Sequence, residues 1–386
     1  MKRTRPRDRK RQILAAAAAQ FRARGYHQVG MADIAAAVGI APSALYRHFR
    51  GKQELLLALL EEDLGCLERL AAGPDLLARL AAFALEHREF RIIWEREAGH
   101  LPPEQQQAIR QRMSAVAAAI ASATCAAASN GAAEAELRAW ALIAVIGSPS
   151  QHHIQADRAR FEQLLLAAER AVLTTALPAA PGPQARGTAP DHPSEPPGLV
   201  PVSRREALLG AAIRLFRERG YPSVGLADIG AAVGIAGPSV YNHFDSKNEI
   251  LDAALNRGTE TLWLGLHNAL AAADGPADAL ERLAVDYAVF AAANTDIIRL
   301  VVTELIHLPE ERTREYRRTQ LNYIAEWIAL LRGSRPELTE LDARILVQTA
   351  LGLVNTLIWV PHLTVGPSHL AALAYAVLTA DAAERI

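Results

Sequence analysis

The chain states one message twice, 195 residues apart. From Phe21 it reads FRARGYHQVGMADIAAAVGIAPSALYRHFRGKQEL, and from Phe216 it reads FRERGYPSVGLADIGAAVGIAGPSVYNHFDSKNEI. Between 21–56 and 216–251, 22 of 36 positions are identical without a gap. That spacing exceeds the roughly 20–50 residues of a solenoid unit, so the chain carries a duplicated domain, not a repeat array. The likeness outlives this segment. WEREAGHLP at 94–102 faces VVTELIHLP at 301–309, aligning Glu97, His100, Leu101 and Pro102 with Glu304, His307, Leu308 and Pro309. The spacing there is 207, so about twelve residues enter in between, and Leu137–Gly147 and Asp342–Gly352 are both apolar stretches near the ends of their copies. Whole units were duplicated.

Composition says what such units are made of. Half the residues are apolar, only 5% are aromatic, and Ala and Leu dominate, which suits stacked helices. No stretch sustains strand-like alternation, so an all-α fold is expected. Cys66 and Cys125 lie in Ala/Leu-rich helical text and read as core thiols of a reducing compartment. Met1–Arg11 is basic and runs into an amphipathic helix, unlike a signal peptide. The longest apolar stretch, 345–360, is interrupted by Gln348, Asn355 and Thr356 and falls short of a bilayer span. A cytoplasmic protein without a membrane partner is expected. Net charge is −1, but residues 1–52 hold 12 Lys/Arg against two acids, while 201–250 hold six against five. A local basic face matters more to a nucleic acid than the total, so the first copy is the better electrostatic match for DNA.

Punctuation gives the domains. The proline-rich stretch 178–201 reads as an extended linker. Heads are expected at 1–56 and 202–251, and helical domains at 57–177 and 252–386. Within the first head, residues 11–24 make an amphipathic helix that stops at Gly25. A second helix, 31–38, ends at Gly39, which supplies a left-handed turn, and a third covers 42–49. Two short helices about a glycine turn form a helix-turn-helix. The second head repeats this with 226–233, Gly234 and 238–244. Its first and fourth helices open with capping boxes, Ser203 with Glu206 and Ser246 with Glu249.

The ordered words G-Y, D-I-A-x-x-V-G-I, L-Y-x-H-F and K-x-E-L resemble the head of the TetR/AcrR family of bacterial transcriptional regulators, here twice in one chain. The resemblance implies that the third helix enters the major groove of an operator. Carried over residue by residue, Pro42, Ser43 and Arg47 face base edges, Tyr46 and His48 grip phosphates, and Lys52 adds charge at the next helix start. In the second head the same places hold Gly237, Pro238 and Asn242, then Tyr241, His243 and Lys247. Arginine's fork suits guanine and asparagine suits adenine, so the two heads are expected to read unlike half-sites. Two departures remove phosphate contacts: Gly30 and Gly225 stand where the family caps its second helix with Ser or Thr, and Ala41 and Ala236 open the third. The arm at 2–11, with Arg3 and Arg5, can compensate along the backbone or in the minor groove, or can be a solvated tail.

The resemblance further implies an all-helical effector and dimerisation domain in each unit, whose last two helices fall at about 136–147 and 158–176, and at 340–361 and 367–383. The two units of one chain are then expected to pair as a pseudo-dimer, so that a monomer does the work of two chains. Tandem-headed chains of this kind are associated with lipid-related operons, which suggests a small apolar effector, fatty-acyl or sterol-like. Phe83, Phe90, Trp94 and Trp140 in the first unit, and Trp263, Tyr287, Phe290, Trp327 and Trp359 in the second, can line an apolar pocket or be plain core. Glu97/His100 and Glu304/His307, spaced i, i+3, can hold a metal or a ligand, or simply finish a helix; the last reading fits their recurrence before Leu-Pro. His152-His153 follows Ser148-Pro149-Ser150 and reads as a solvent-facing loop. No nucleophile–base set, phosphate loop or metal cluster recurs, so no enzyme, cofactor or metal is expected. The alternative to two working heads keeps the fold but gives DNA binding to the first head alone.

Overall fold

The computed structural model describes residues 6–125, 131–179, 201–360, 362–363 and 365–381. The described residues are all-α with no strand, and the chain divides into two compact units, Met1–Thr174 with Ala380–Ile386, and Thr175–Thr379. The first unit contains α1 (Pro6–Arg24), α2 (Met31–Val38), α3 (Pro42–Leu45), α4 (Lys52–Ala71), α5 (Leu76–Glu86), α6 (Phe90–Glu97), α7 (Pro103–Cys125), α8 (Ala132–Gly147) and α9 (Arg158–Thr174). The second contains α10 (Arg204–Arg219), α11 (Leu226–Ala232), α12 (Gly237–Val240), α13 (Lys247–Ala272), α14 (Pro276–Ala293), α15 (Thr295–Thr303), α16 (Glu310–Ser334), α17 (Glu340–Leu357) and α18 (Pro367–Leu378). Arg3 and Arg5 of the arm, most of the proline-rich stretch and the Cys125 side chain lie outside the described residues. Cys66 is a free, half-buried thiol on α4. Among the described residues no helix is long and apolar enough to cross a membrane.

Helix order repeats unit by unit, and the inserted residues have a definite home. Helix α13 is six residues longer than α4, and α14 is seven longer than α5, so the second unit carries a taller α13–α14 hairpin. The head boundaries at 56 and 251 fall inside α4 and α13, which run from head to body as continuous rods. Helix α1 starts at Pro6, five residues before the expected position, so half of the basic arm is helical. Proline is well suited to the first turn of a helix, and Arg and Lys are good helix formers.

In the second unit, head and body share one core. Phe216, Val240 and Phe244 of the head cluster with Leu300 and Leu308 of the body. Leu101, the first-unit counterpart of Leu308, is also buried. The repeated His-Leu-Pro therefore marks where the body chain tucks a leucine under the head.

The loop after α8 departs from its sequence reading. His153 is exposed, but His152 is buried, 7% accessible, with its ring stacked on Phe161 at 6.0 Å. Arg22 of α1 donates to the His152 carbonyl at 3.2 Å, and Arg88 donates to the Ile154 carbonyl at 2.8 Å. These contacts draw the loop inward. Burial, with Arg88, Arg22 and His153 close by, pushes the His152 imidazole down to about 3. The folded unit holds it neutral, whereas an unfolded histidine takes a proton below about pH 6.5. Its contribution is therefore intact above pH 6.5 and is lost as pH falls toward 3, at about 1.4 kcal/mol per pH unit. His152→Leu, which removes the imidazole, is expected to lack that slope. Urea unfolding of wild type and variant between pH 7 and pH 4.5 reads the difference, and parallel stability curves would refute it. Taking the difference cancels the fully buried Glu169, whose carboxyl burial raises far above its ordinary range and which titrates with the opposite sign.

Candidate DNA-binding heads

Each head is a three-helix cluster closed by one aromatic anchor. Ile13, Phe21, Ile34, Leu45 and Phe49 are buried in the first; Leu208, Phe216, Ile229, Val240 and Phe244 are buried in the second. Gly39 and Gly234 turn between the second and third helices with φ of 68° and 73°, in the left-handed region that glycine enters at least cost. The glycines that open α2 and α11 have no side chain to cap with, so the aspartate three residues on does the work: Asp33 Oδ2 accepts from Gly30 N–H and Asp228 Oδ2 from Gly225 N–H, both at 2.8 Å. The sequence reading missed these aspartates, although the repeated G-x-A-D-I signalled them. Of the capping boxes expected in the second head, the serine half forms, with Ser203 accepting from Glu206 N–H and Ser246 from Glu249 N–H, while Glu249 accepts from Asp245 N–H and not from Ser246.

The third helix is shorter than expected. It ends at Leu45 in the first head and Val240 in the second. Tyr46–His48 instead form a tight turn in which His48 N–H bonds to the Leu45 carbonyl. That tightening folds Phe49 under the head and leaves Tyr46, Arg47 and His48 exposed, Tyr46 at 53%. Pro42 and Ser43 are exposed beside them. In the second head Pro238, Tyr241 (58%) and Asn242 are exposed and His243 is half-buried. An exposed tyrosine in so small a cluster has apolar area that folding did not use.

Three of the expected contact residues serve the fold. A Cβ at Gly237 would stand 3.1 Å from Ala227 Cα, so that glycine lets α12 sit close on α11. Lys52 Nζ donates to the Tyr26 carbonyl at 2.5 Å and lies 4.2 Å from the centre of the Tyr26 ring. Lys247 repeats this with the carbonyls of Tyr221 and Val224, at 2.8 Å each, and the Tyr221 ring at 4.1 Å. Burial holds both ammonium groups below the usual lysine range, with Glu97 and Glu304 acting in the opposite sense.

Those glutamates complete a junction found in both units. Glu97 is buried, accepts from Tyr26 N–H at 3.1 Å and lies 3.5 Å from His100 Nε2. The His100 ring stacks on Tyr26, centroids 4.8 Å apart. In the second unit Glu304 lies 3.4 Å from His307 Nε2, and His307 stacks on Tyr221 at 5.2 Å. Glu97 and His100 thus tie the end of α6 to the loop after α1. Among the described residues no three His, Cys, Asp or Glu side chains group as metal ligands. An ion pair reinforces each junction, Arg22–Glu89 in the first unit and Arg217–Asp296 in the second, both at 3.4 Å.

The aromatics considered for an effector are distributed among core positions. Phe83, Phe90 and Trp140 are buried and Trp94 is half-buried on α6, its ring 6.4 Å from Phe90. Tyr287, Phe290 and Trp327 are buried in the second body, while Trp263 and Trp359 are half-buried.

Known proteins carry the same head. A family profile described as bacterial regulatory proteins, tetR family, matches residues 13–59 and again 208–254. The HTH-type transcriptional activator FasR of Mycolicibacterium smegmatis is 37% identical over 106 residues, 24% of this chain and 48% of FasR, so the chain spans about half of that relative's length. The HTH-type transcriptional repressor KstR2 of the same organism is 31% identical over 151 residues, 36% of this chain and 70% of KstR2. Among solved structures, the TetR-family regulator PfmR from Thermus thermophilus aligns over 48% of this chain and all of its own, with 23% identity and a TM-score of 0.42. With a helix-turn-helix profile matched twice and most of one repressor's length covered, the chain belongs to the TetR family of bacterial transcriptional regulators, helix-turn-helix DNA-binding proteins and not enzymes.

Proposed function

We propose that this chain is a cytoplasmic one-component repressor that grips an asymmetric operator with two unlike heads and lets go when a small apolar effector enters its helical bodies. The observation that carries the reading is the contrast at the exposed third-helix surface. Scaffold residues match between the heads, while Ser43, Arg47 and Arg50 on one face Pro238, Asn242 and Asp245 on the other, all exposed. Arg47 is the natural partner of guanine O6 and N7, and Asn242 of adenine N6 and N7. Asp245 turns a carboxylate toward the region where Arg50 offers a cation, so the second head is the weaker electrostatic partner. Tyr46 and Tyr241, with His48, supply the phosphate contacts. Arg3 and Arg5 add to the first head alone.

A single chain carrying both heads does the work of two single-headed chains. Tethering the two units in one chain raises the local concentration of one around the other. The effector's apolar part is proposed to bind among aromatics within each body, Phe90, Trp94 and Trp140 in the first and Tyr287, Phe290, Trp327 and Trp359 in the second. One relative is named an activator and another a repressor. Repression is the simpler outcome of a chain whose own domains only bind.

Footprinting on the DNA upstream of the chain's own coding region tests the reading. A protected site with two unlike halves is the expected result, and no protection there or in neighbouring promoters would sink it. Arg47→Ala should weaken binding by about 1–3 kcal/mol and relax base preference in one half-site only, with Asn242→Ala doing the same in the other. Unchanged affinity and salt slope in Asn242→Ala would favour a scaffold role for the second head.

A further inference from the structure

The bodies of the two units differ sharply where α14 and α16 meet. Counting from the shared Leu-Pro before α7 and α16, Tyr323 and Trp327 stand where the first unit has Val116 and Ile120. Counting from the shared end of α5 and α14, where His87 and Asn294 N–H bond to the carbonyls of Phe83 and Phe290, Tyr287 stands where the first unit has Leu80. Leu80, Val116 and Ile120 are all buried, so at these three positions the first unit's core is apolar. The second unit replaces them with a chain of edge-to-face rings. Trp263 meets Tyr323 at 5.8 Å, Tyr323 meets Trp327 at 6.3 Å and Tyr287 meets Trp327 at 5.9 Å.

The substitutions bring three polar atoms into that core, and one is paired. Tyr287 Oη donates to Asn355 Oδ1 at 2.8 Å. Tyr323 Oη and Trp327 Nε1 are buried with no hydrogen-bond partner, on side chains 5% and 1% accessible. Each orphan costs the fold free energy, and a valine and an isoleucine would avoid that cost, as the first unit demonstrates. Burial keeps the Tyr323 hydroxyl protonated far beyond its ordinary range, so both orphans are donors. The neighbouring Trp327 indole offsets part of that rise, but the two groups do not meet in hydrogen-bonding geometry. They call for an acceptor. The Asp286 carboxylate bears on Tyr323 and lies across Gly265, where a Cβ would clash with Oδ2, so a negatively charged acceptor would meet repulsion.

We propose that the second unit alone holds the effector site, and that its ligand presents a neutral oxygen, a carbonyl or hydroxyl on an apolar frame, to Tyr323 Oη and Trp327 Nε1. The proposal rests on the effector-released reading above and narrows it. One ligand per chain then governs two heads, and the unit with the weaker head is the sensor.

The test uses the full chain with 1-decanol, decane and decanoate as probes, followed by calorimetry, thermal melting and binding to the footprinted operator. One decanol is expected per chain, with decane and decanoate weaker. Tyr323→Phe and Trp327→Phe should each weaken decanol about fivefold, the equivalent of one neutral hydrogen bond, with operator affinity in the absence of ligand unchanged. Without ligand, Tyr323→Phe should melt about 2 °C higher, because an unpaired hydroxyl is gone. A purely structural hydroxyl gives the opposite sign. A lower melting point for Tyr323→Phe, two decanols per chain, decanoate bound more tightly than decanol, or no binding of any probe overturns the proposal while leaving a differently liganded repressor in place. An operator complex untouched by saturating decanol overturns the effector reading itself, and this proposal with it.

Discussion

Phe49→Ala is expected to abolish operator binding, whereas Phe244→Ala leaves a weak, salt-sensitive residue of it. Both phenylalanines are buried, 2% and 1% accessible, and each is the side chain that the tight turn after the third helix folds beneath its head. Removing such a ring costs about 3–5 kcal/mol, a large fraction of the total stability of an ordinary domain. Each variant should therefore lose its own head while the other unit persists. Losing one of two tethered modules costs affinity by about 10²–10⁴-fold. The losses should be unequal, because residues 1–52 carry a local charge of +10 and 201–250 only +1. Circular-dichroism melting combined with fluorescence anisotropy on the operator at several salt concentrations reads both effects. Equal losses would remove the asymmetry. A Phe244→Ala chain with wild-type affinity and salt slope would make the second head a scaffold.

Most of the head was legible because its signals are local. Glycine at a left-handed turn, proline at a helix start and alternating apolar positions each depend on a few neighbouring residues, and α2 falls where its sequence pattern places it. The errors arise where tertiary contact overrides a local pattern. Residues 42–49 carry helical periodicity to the end, yet Phe49 must reach the core, and the chain tightens after Leu45 to deliver it. Lys52 stands at a helix start facing, by analogy, a phosphate. Nothing near it in sequence announces that the Tyr26 carbonyl, 26 residues away, lies within reach. His152 sits among serine, proline and polar neighbours, and only Arg22 and Arg88, from distant helices, bring it inside. The twelve inserted residues were countable from the repeat, but their division between α13 and α14 was not, since a helical hairpin can be lengthened from either arm.

The duplicated junction yields the other large effect. Glu97→Ala should loosen the first head from its body without unfolding the head. The carboxylate is buried at 3% accessibility, yet it lies outside the Phe21–Ile34–Leu45–Phe49 core, so the head keeps its own packing. What is lost is the acceptor for Tyr26 N–H and the negative partner of a half-buried Lys52, with His100 left stacked beside them. Stranding a backbone donor and an ammonium together costs about 2–4 kcal/mol. Because α4 starts at Lys52 and α6 ends at Glu97, under the proposed function that energy passes a change reaching the first body on to the first head. Operator affinity in the absence of effector should fall little, while release by ligand should be blunted, and amide exchange at residues 25–30 should quicken. Glu97→Gln separates the contributions, since its carbonyl can still accept from Tyr26 while no longer balancing Lys52. Intermediate behaviour in that variant would assign part of the coupling to charge. Full recovery would assign it all to the hydrogen bond, and a Glu97→Ala chain with wild-type exchange and release would show that head and body communicate along α4 alone.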